Sequence, residues 1–192
     1  MKHRIAILAS GNGSNAENII RHFAHAPVAE VALVITNREK AFVRERARSL
    51  HVPDVYLPQA FWKDKFFISS VLDEHNIDFI VLAGFLLRIP SELVREYHCR
   101  MVNIHPSLLP KYGGQGMYGD RVHEAVIAAG EAESGITIHY VNDEYDKGDI
   151  IFQATCPVLP GDTPHDLAQR IHELEHQHYP AVIEKLLESL PR

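Results

Sequence analysis

The feature that most constrains this chain is a set of short, uninterrupted apolar runs, each set off from the next by a helix-patterned segment. Ile5-Ala6-Ile7-Leu8-Ala9, Val31 to Ile35 and Phe79-Ile80-Val81-Leu82 are apolar at every position, as strands buried on both faces must be. Between them, helical patterns run from about Asn15 to His25, with Ile19, Ile20 and Phe23 on one side, and from Ala41 to Leu50 and Phe61 to His75. Val55-Tyr56-Leu57 is a further short strand. Such alternation predicts an α/β fold, a Rossmann-like open and mostly parallel sheet with helices on both faces and right-handed crossovers. In sheets of this kind ligands bind beyond the carboxyl ends of the strands.

The second half continues with a strand from Arg100 to Ile104, an irregular stretch from His105 to about Gly119, and a helix through Ala129. Ile136 to Val141 and Ile150 to Val158 alternate apolar with polar residues, and their short link predicts an antiparallel C-terminal hairpin at the sheet edge. A last helix runs from about Thr163 or Pro164 to Leu190. No internal repeat or low-complexity linker interrupts the pattern, and 192 residues suit one well-buried domain. We read residues 1–192 as that domain, with a phosphate- or nucleotide-binding half over 1–100 and a catalytic half over 101–192.

A formal net charge of −6 argues against a partner held by bulk positive charge, so no nucleic acid is expected. The longest apolar stretch, Phe79 to Leu87, is about half of the roughly 20 residues a membrane helix needs, and no membrane partner is expected. Met1-Lys2-His3-Arg4 leads straight into the first strand without a signal-peptide core. Cys99 and Cys156 could form one bridge at most, and no Cys-x-x-Cys knuckle is present. A cytoplasmic, reducing compartment is the simplest reading. Oligomeric state is not set by any of these features.

Three segments carry chemistry. Ala9-Ser10-Gly11-Asn12-Gly13-Ser14-Asn15 joins the first strand to the first helix, where free N–H groups can receive an anion and where Ser14 and Asn15 suit the helix start. Gly11-x-Gly13-x-x-Ala16 also fits a dinucleotide fingerprint, but the second strand ends in Thr36-Asn37-Arg38, without the acid that would hold a ribose. A single phosphate is favoured over a dinucleotide, with a tight turn that binds nothing as the bland alternative. Asn103 and His105 stand two apart near a strand end, so both can face one side of the sheet and hydrogen-bond a developing oxyanion. A merely structural histidine is an equal reading of that spacing alone. Pro106 and Pro110 stiffen the loop that follows. Asn142-Asp143-Glu144-Tyr145-Asp146-Lys147-Gly148-Asp149 is an acidic turn, either a solvated loop or the source of a carboxylate for His105. Asp146 is the candidate, with Gly148 permitting the turn into the last strand, and its charge is expected to raise the pKa of His105. His172-Glu173-Leu174-Glu175-His176 matches a zinc-protease pattern but lacks a convincing third ligand, so no metal site is expected.

Taken in order, Ser10 to Asn15, Val81-Leu82-Ala83-Gly84-Phe85, Asn103-Ile104-His105-Pro106-Ser107-Leu108-Leu109-Pro110 and Asp143 to Gly148 resemble the glycinamide ribonucleotide formyltransferase family, folate-dependent enzymes of purine synthesis. The resemblance covers nearly the whole chain, including Glu175-His176 before Tyr179-Pro180. It implies 10-formyltetrahydrofolate as co-substrate, glycinamide ribonucleotide as acceptor and folate binding in the second half. Asn103, His105 and Asp146 match the family's catalytic trio, with protonated His105 and Asn103 on the oxyanion and Asp146 holding His105. Gly13, Ser14 and Asn15 match its phosphate site, and Glu175 the residue that meets the ribose hydroxyls. Leu87, Arg88 and Ile89, with the turn from Val141 through Asp143 and Glu144 to Asp146, match its pterin pocket, and Phe85 and Leu86 lie beside it.

Two stretches depart from the family pattern. Tyr112-Gly113-Gly114-Gln115-Gly116-Met117-Tyr118-Gly119 is longer and lacks the family's histidines near the next helix, so Arg121 and His123 receive no role. Leu86-Leu87-Arg88-Ile89 replaces a Met-Arg-Ile, which leaves backbone contacts but alters side chains. Lys63 or Lys65 is a candidate supplement to the phosphate site, and the glycines of Gly113 to Gly119 suggest a mobile loop. Relatives acting on tRNA add a C-terminal domain, whereas this chain stops at Arg192 with an acidic balance. Formyltetrahydrofolate hydrolase, which carries an N-terminal regulatory domain, and a noncatalytic nucleotide-binding module remain as alternatives.

Overall fold

A computed structural model describes residues 2–63 and 65–191. Met1, Arg192 and Asp64, the last inside the helix expected from Phe61 to His75, lie outside the described residues. Seven strands form one sheet in the order β3-β2-β1-β4-β5-β6-β7. These are β1 (His3–Leu8), β2 (Ala29–Thr36), β3 (Asp54–Tyr56), β4 (Phe79–Leu82), β5 (Met101–His105), β6 (Glu133–Tyr140) and β7 (Ile150–Pro157). Strands β1 to β5 pair in parallel, while β6 runs antiparallel to both β5 and β7. The expected mostly parallel sheet with an antiparallel C-terminal hairpin is the observed one.

The apolar runs bury both faces as their composition requires. Ile5 and Ile7 of β1 point into a core shared with α1 (Ser14–Phe23), α2 (Val43–Ser49), α5 (Asp120–Ala128) and α6 (Pro164–Ser189). Ala6 and Leu8 point the other way, onto α3 (Lys65–Glu74), α4 (Ser91–Glu96) and Trp62. The stretch before α3 is a 3-10 turn over Gln59–Lys63, so the long helix expected there is shorter. Its Trp62 Nε1 donates to the Leu57 carbonyl at 2.8 Å. The six-residue α4 has no counterpart in the sequence reading, because it buries only Leu93 and Val94 and shows no full helical period. Among the described residues no helix is long and apolar enough to cross a membrane.

Helix α6 is fastened at its start and again midway along its packing face. Thr163 and Asp166 form a reciprocal capping box at its start, with Pro164 at the first helical position. Farther along, the fully buried Tyr179 donates its hydroxyl to the Leu82 carbonyl at 2.8 Å, with the Val102 carbonyl 3.3 Å away. That bond ties α6 to the carboxyl end of β4, where a loop with chemical character departs, and to the start of the neighbouring β5. Tyr179→Phe removes the donor and leaves a buried carbonyl short of one partner, which costs about 1 kcal/mol. Urea denaturation is expected to show the lower midpoint with an unchanged slope, and an unshifted midpoint would remove this bond from the account.

Candidate active site

The sheet order reverses between β1 and β4, and a cleft of about 680 Å³ opens beside the carboxyl ends of β1, β4 and β5. Gly13, Ser14, Asn15 and Glu175 line it, as do Asn103, His105 and Asp146. Leu87, Arg88, Ile89, Val141, Asp143 and Glu144 line it too. All the residues matched to the catalytic trio, the phosphate and ribose site and the pterin pocket therefore reach one cavity. Lys63 and Lys65 do not, and the Lys65 ammonium instead lies 3.5 Å from the Glu96 carboxylate on the α3 side.

The loop after β1 is shaped by its neighbours. Gly13 is the N-cap of α1 with a φ of 77°, and a Cβ there would lie 2.4 Å from Val43 Cγ2. No side chain caps this helix, so Ser14 and Asn15 do not play the capping part expected of them. The helix start is left without a side-chain partner, and Asn15 Nδ2 donates to Glu175 Oε2 at 2.8 Å instead. Behind the loop, Arg46 donates to the Asn12 carbonyl at 2.9 Å and to Asn12 Oδ1 at 2.8 Å, and pairs with Glu17. Ser10 Oγ donates to Asn37 Oδ1 at 2.6 Å and accepts from the Leu86 N–H at 2.9 Å. Asn37, near the position where a dinucleotide fold keeps its acid, is thus used to join two cleft loops. Arg88 Nη2 donates to the Asp143 carbonyl at 3.0 Å, linking the two segments assigned to the pterin.

On β5 the register places Asn103 opposite His139 and His105 opposite Thr137. Asn103 Nδ2 lies 3.1 Å from His139 Nε2, while His139 Nδ1 lies 2.9 Å from the Tyr140 carbonyl. A carbonyl only accepts, so Nδ1 of His139 carries the proton and Nε2 accepts from Asn103. Asp146 Oδ2 accepts the Gly114 N–H at 2.9 Å and sits 3.5 Å from His105 Nδ1, and Oδ1 is 3.6 Å from His139 Nε2. The other His105 nitrogen, Nε2, donates to the Tyr112 carbonyl at 2.7 Å. An amide, an imidazole and a carboxylate thus converge on one water-accessible wall, the donor and proton-handling set that acyl transfer uses.

Residues 3–183 match the family model described as formyl transferase. The chain belongs to the formyl transferase family. A curated phosphoribosylglycinamide formyltransferase of Bacillus subtilis is 36% identical over 96% of this chain and 94% of its own length. A chloroplastic one of Arabidopsis thaliana is 39% identical over 98% of the chain but only 66% of its own length, so the chain spans less than two thirds of that relative. A solved phosphoribosylglycinamide formyltransferase from Anaplasma phagocytophilum superposes with a TM-score of 0.91 at 36% identity, covering 98% of this chain and 88% of that one.

Two features of this formyl transferase site differ from expectation. Gly148 does not adopt the left-handed backbone of a tight turn; a Cβ there would fall 1.7 Å from the Tyr140 carbonyl, so close approach of the connecting segment to the end of β6 requires it. The left-handed residue is Asp146 itself, with a φ of 55°, a strained conformation worth about 1–3 kcal/mol that aims its carboxylate inward. The second difference is electrostatic. Burial pushes His105 below its ordinary value of 6.5, and this outweighs the Asp146 charge and the Tyr112 carbonyl, which both pull upward. Burial therefore works against the imidazolium that the Asp146 charge favours. Burial also pushes Asp146 up, but contact with His139, the His105 charge and the Gly114 N–H together hold it below the usual carboxylate value.

His139 and the Tyr112 carbonyl were not singled out from sequence. His139 was legible in part, because Ile136-Thr137-Ile138-His139 alternates and so sets Thr137 and His139 on one face of the hairpin. A backbone carbonyl has no residue signature. Arg121 and His123, left without a role, also line the cleft, and buried His123 has no partner for Nδ1 among the described residues. Because Asp146 favours the charged ring, Asp146→Asn is expected to move the His105 titration to still lower pH. Histidine NMR titration checks the sign, and an upward or absent shift would separate the two residues electrostatically.

Proposed function

We propose that this chain transfers the formyl group of 10-formyltetrahydrofolate to the amino group of glycinamide ribonucleotide, giving N-formylglycinamide ribonucleotide and tetrahydrofolate. The observation that carries this reading is the meeting of Asn103, His105 and Asp146 in the same cleft as an uncapped helix start suited to a phosphate. Residues 1–100 supply that phosphate site through Gly13, Ser14 and Asn15, residues 101–192 supply the trio, and both halves contribute to the formyl-donor wall. Glu175, only 5% exposed and fixed by Asn15 and His172, is set to accept ribose hydroxyls. Phe85, Leu87, Ile89 and Val141 give an apolar wall for a flat ring, with Arg88 holding the Asp143 turn in place. A reducing, cytoplasmic setting suits the two free thiols, exposed Cys99 and buried Cys156.

In this mechanism the acceptor amine attacks the formyl carbon, forming one C–N bond and an oxyanion. One N–H of Asn103 is committed to His139, which fixes the amide, and the second meets the oxyanion. Neutral His105, backed by Asp146, takes the proton the attacking nitrogen loses and returns it to the leaving folate nitrogen as the second C–N bond breaks. The imidazolium exists only while the oxyanion and Asp146 are there to balance it.

The test is formyl loss from 10-formyltetrahydrofolate with and without glycinamide ribonucleotide. Turnover that requires the ribonucleotide and yields its formylated product supports the reading. Release of formate without acceptor makes the chain a hydrolase, and no loss from folded protein makes it a noncatalytic module. Asn103→Ala is expected to lower kcat by about 10²–10³ with folded protein retained, the usual cost of one oxyanion donor. Full activity in that variant would sink the assigned role.

A further inference from the structure

We propose that the backbone carbonyl of Tyr112 determines which nitrogen of His105 works, and that Glu131, from outside the cleft, holds that carbonyl in place. This rests on the formyl-transfer reading for its catalytic consequence but not for its geometry. Tyr112 O lies 2.7 Å from His105 Nε2 and can only accept, so the ring proton is kept on Nε2. The lone pair of the neutral ring is then on Nδ1, the nitrogen that faces Asp146 at 3.5 Å. Without the carbonyl, the Asp146 carboxylate would draw the proton to Nδ1 and turn the lone pair away from itself. The two contacts compete for one proton, and the shorter one wins.

Tyr112 is not in a conformation its own backbone prefers. Its φ of 57° is left-handed, which an aromatic L-residue rarely adopts. One side-chain contact, itself braced by Lys111, holds it there. The Tyr112 hydroxyl donates to Glu131 Oε1 at 2.8 Å, and the Lys111 ammonium sits 2.9 and 3.2 Å from the two Glu131 oxygens. Lys111 and then the Tyr112 hydroxyl keep the Glu131 carboxyl below its usual range, so the anchor stays ionised. On the other side, the next residues close on Asp146: a Cβ at Gly113 would lie 2.4 Å from Leu109 Cδ2, and Gly114 N–H donates to Asp146 Oδ2 at 2.9 Å. Residues 112–114 therefore span the pair, a carbonyl on the histidine and an amide on the aspartate. Neither Glu131 nor Tyr112 lines the cleft, which makes them positioning residues rather than catalytic ones.

The titratable groups around the ring are Asp146 and His139, with Glu175 and His123 farther along the cleft, and the hydrogen-bond partner of Nε2 is the Tyr112 carbonyl. The experiment is nitrogen NMR of the imidazole in the ligand-free full chain, with His105→Gln to assign the signal, paired with steady-state kinetics. The native chain is expected to show the Nε2–H tautomer. Tyr112→Phe and Glu131→Ala are expected to gain Nδ1–H population, to titrate at lower pH, and to lose about tenfold or more in kcat with KM unchanged. Glu131→Gln, which keeps an acceptor for the hydroxyl, is expected to restore most of the Nε2–H population and rate. Unchanged tautomer in both Tyr112→Phe and Glu131→Ala overturns the anchor. A shifted tautomer with unchanged kcat overturns the working nitrogen. If the native chain transfers no formyl group, the tautomer still decides the anchor, and only the catalytic reading falls.

Discussion

The antiparallel pairing of β6 against β5 is the contact on which the chemistry depends. Its register sets Asn103 opposite His139 and His105 opposite Thr137, so four polar side chains share one face of the sheet beside the apolar β4. A slip of β6 by one residue would send Thr137 and His139 into the core on the far side and bring Ile136 and Ile138 to the cleft. The register is held where the polar residues themselves need it. Thr137 Oγ1 donates to the Ser107 carbonyl at 2.7 Å and accepts the Leu109 N–H at 3.0 Å, which also anchors the loop leaving β5. Pairing and loop path are thus one decision, and the trio follows from it.

Much of this was legible in the residues because burial on two faces leaves little freedom. Phe79 to Leu82 could only be a central strand, and it occupies those residues in the structure. The segments with chemical character were also legible, since each interrupts an apolar pattern with residues that have no packing purpose there. What escaped detection depends on distance rather than composition. Gly148 looked like a turn residue, yet its reason is a carbonyl that a Cβ would meet at 1.7 Å. Asn15 looked like a cap and is a partner of Glu175, 160 positions away. Helix α4 is too short to show a period, and the Tyr112 carbonyl is the same in any residue except for where the chain directs it.

The electrostatics follow the same division between local and remote effects. Proximity of an acid and an imidazole suggests a charged ring, but His105 is only 4% exposed, and loss of water costs the cation more than Asp146 at 3.5 Å returns. Asp146 is held below the usual carboxylate value despite its burial, with the Gly114 N–H donating to its Oδ2 at 2.9 Å. Such a pair is matched to a reaction in which charge appears and disappears. An ion pair formed in advance would be stabilised in the ground state and would gain less as the oxyanion forms.

The strain in the cleft also has a consistent placement. Asp146 and Tyr112, both with left-handed φ, flank the same imidazole, and each is fixed by a partner atom outside the ring. For Asp146 that atom is the Gly114 amide, and for Tyr112 it is the Glu131 carboxylate beyond the cleft wall. Relaxing either backbone to its preferred conformation would turn an acceptor away from the histidine. The opposing costs are unequal in sequence terms: a glycine at either position would relieve the strain but free the chain to leave the conformation. Keeping side chains there trades local energy for direction, and the direction is what a buried imidazole between two acceptors needs in order to hold one proton in one place.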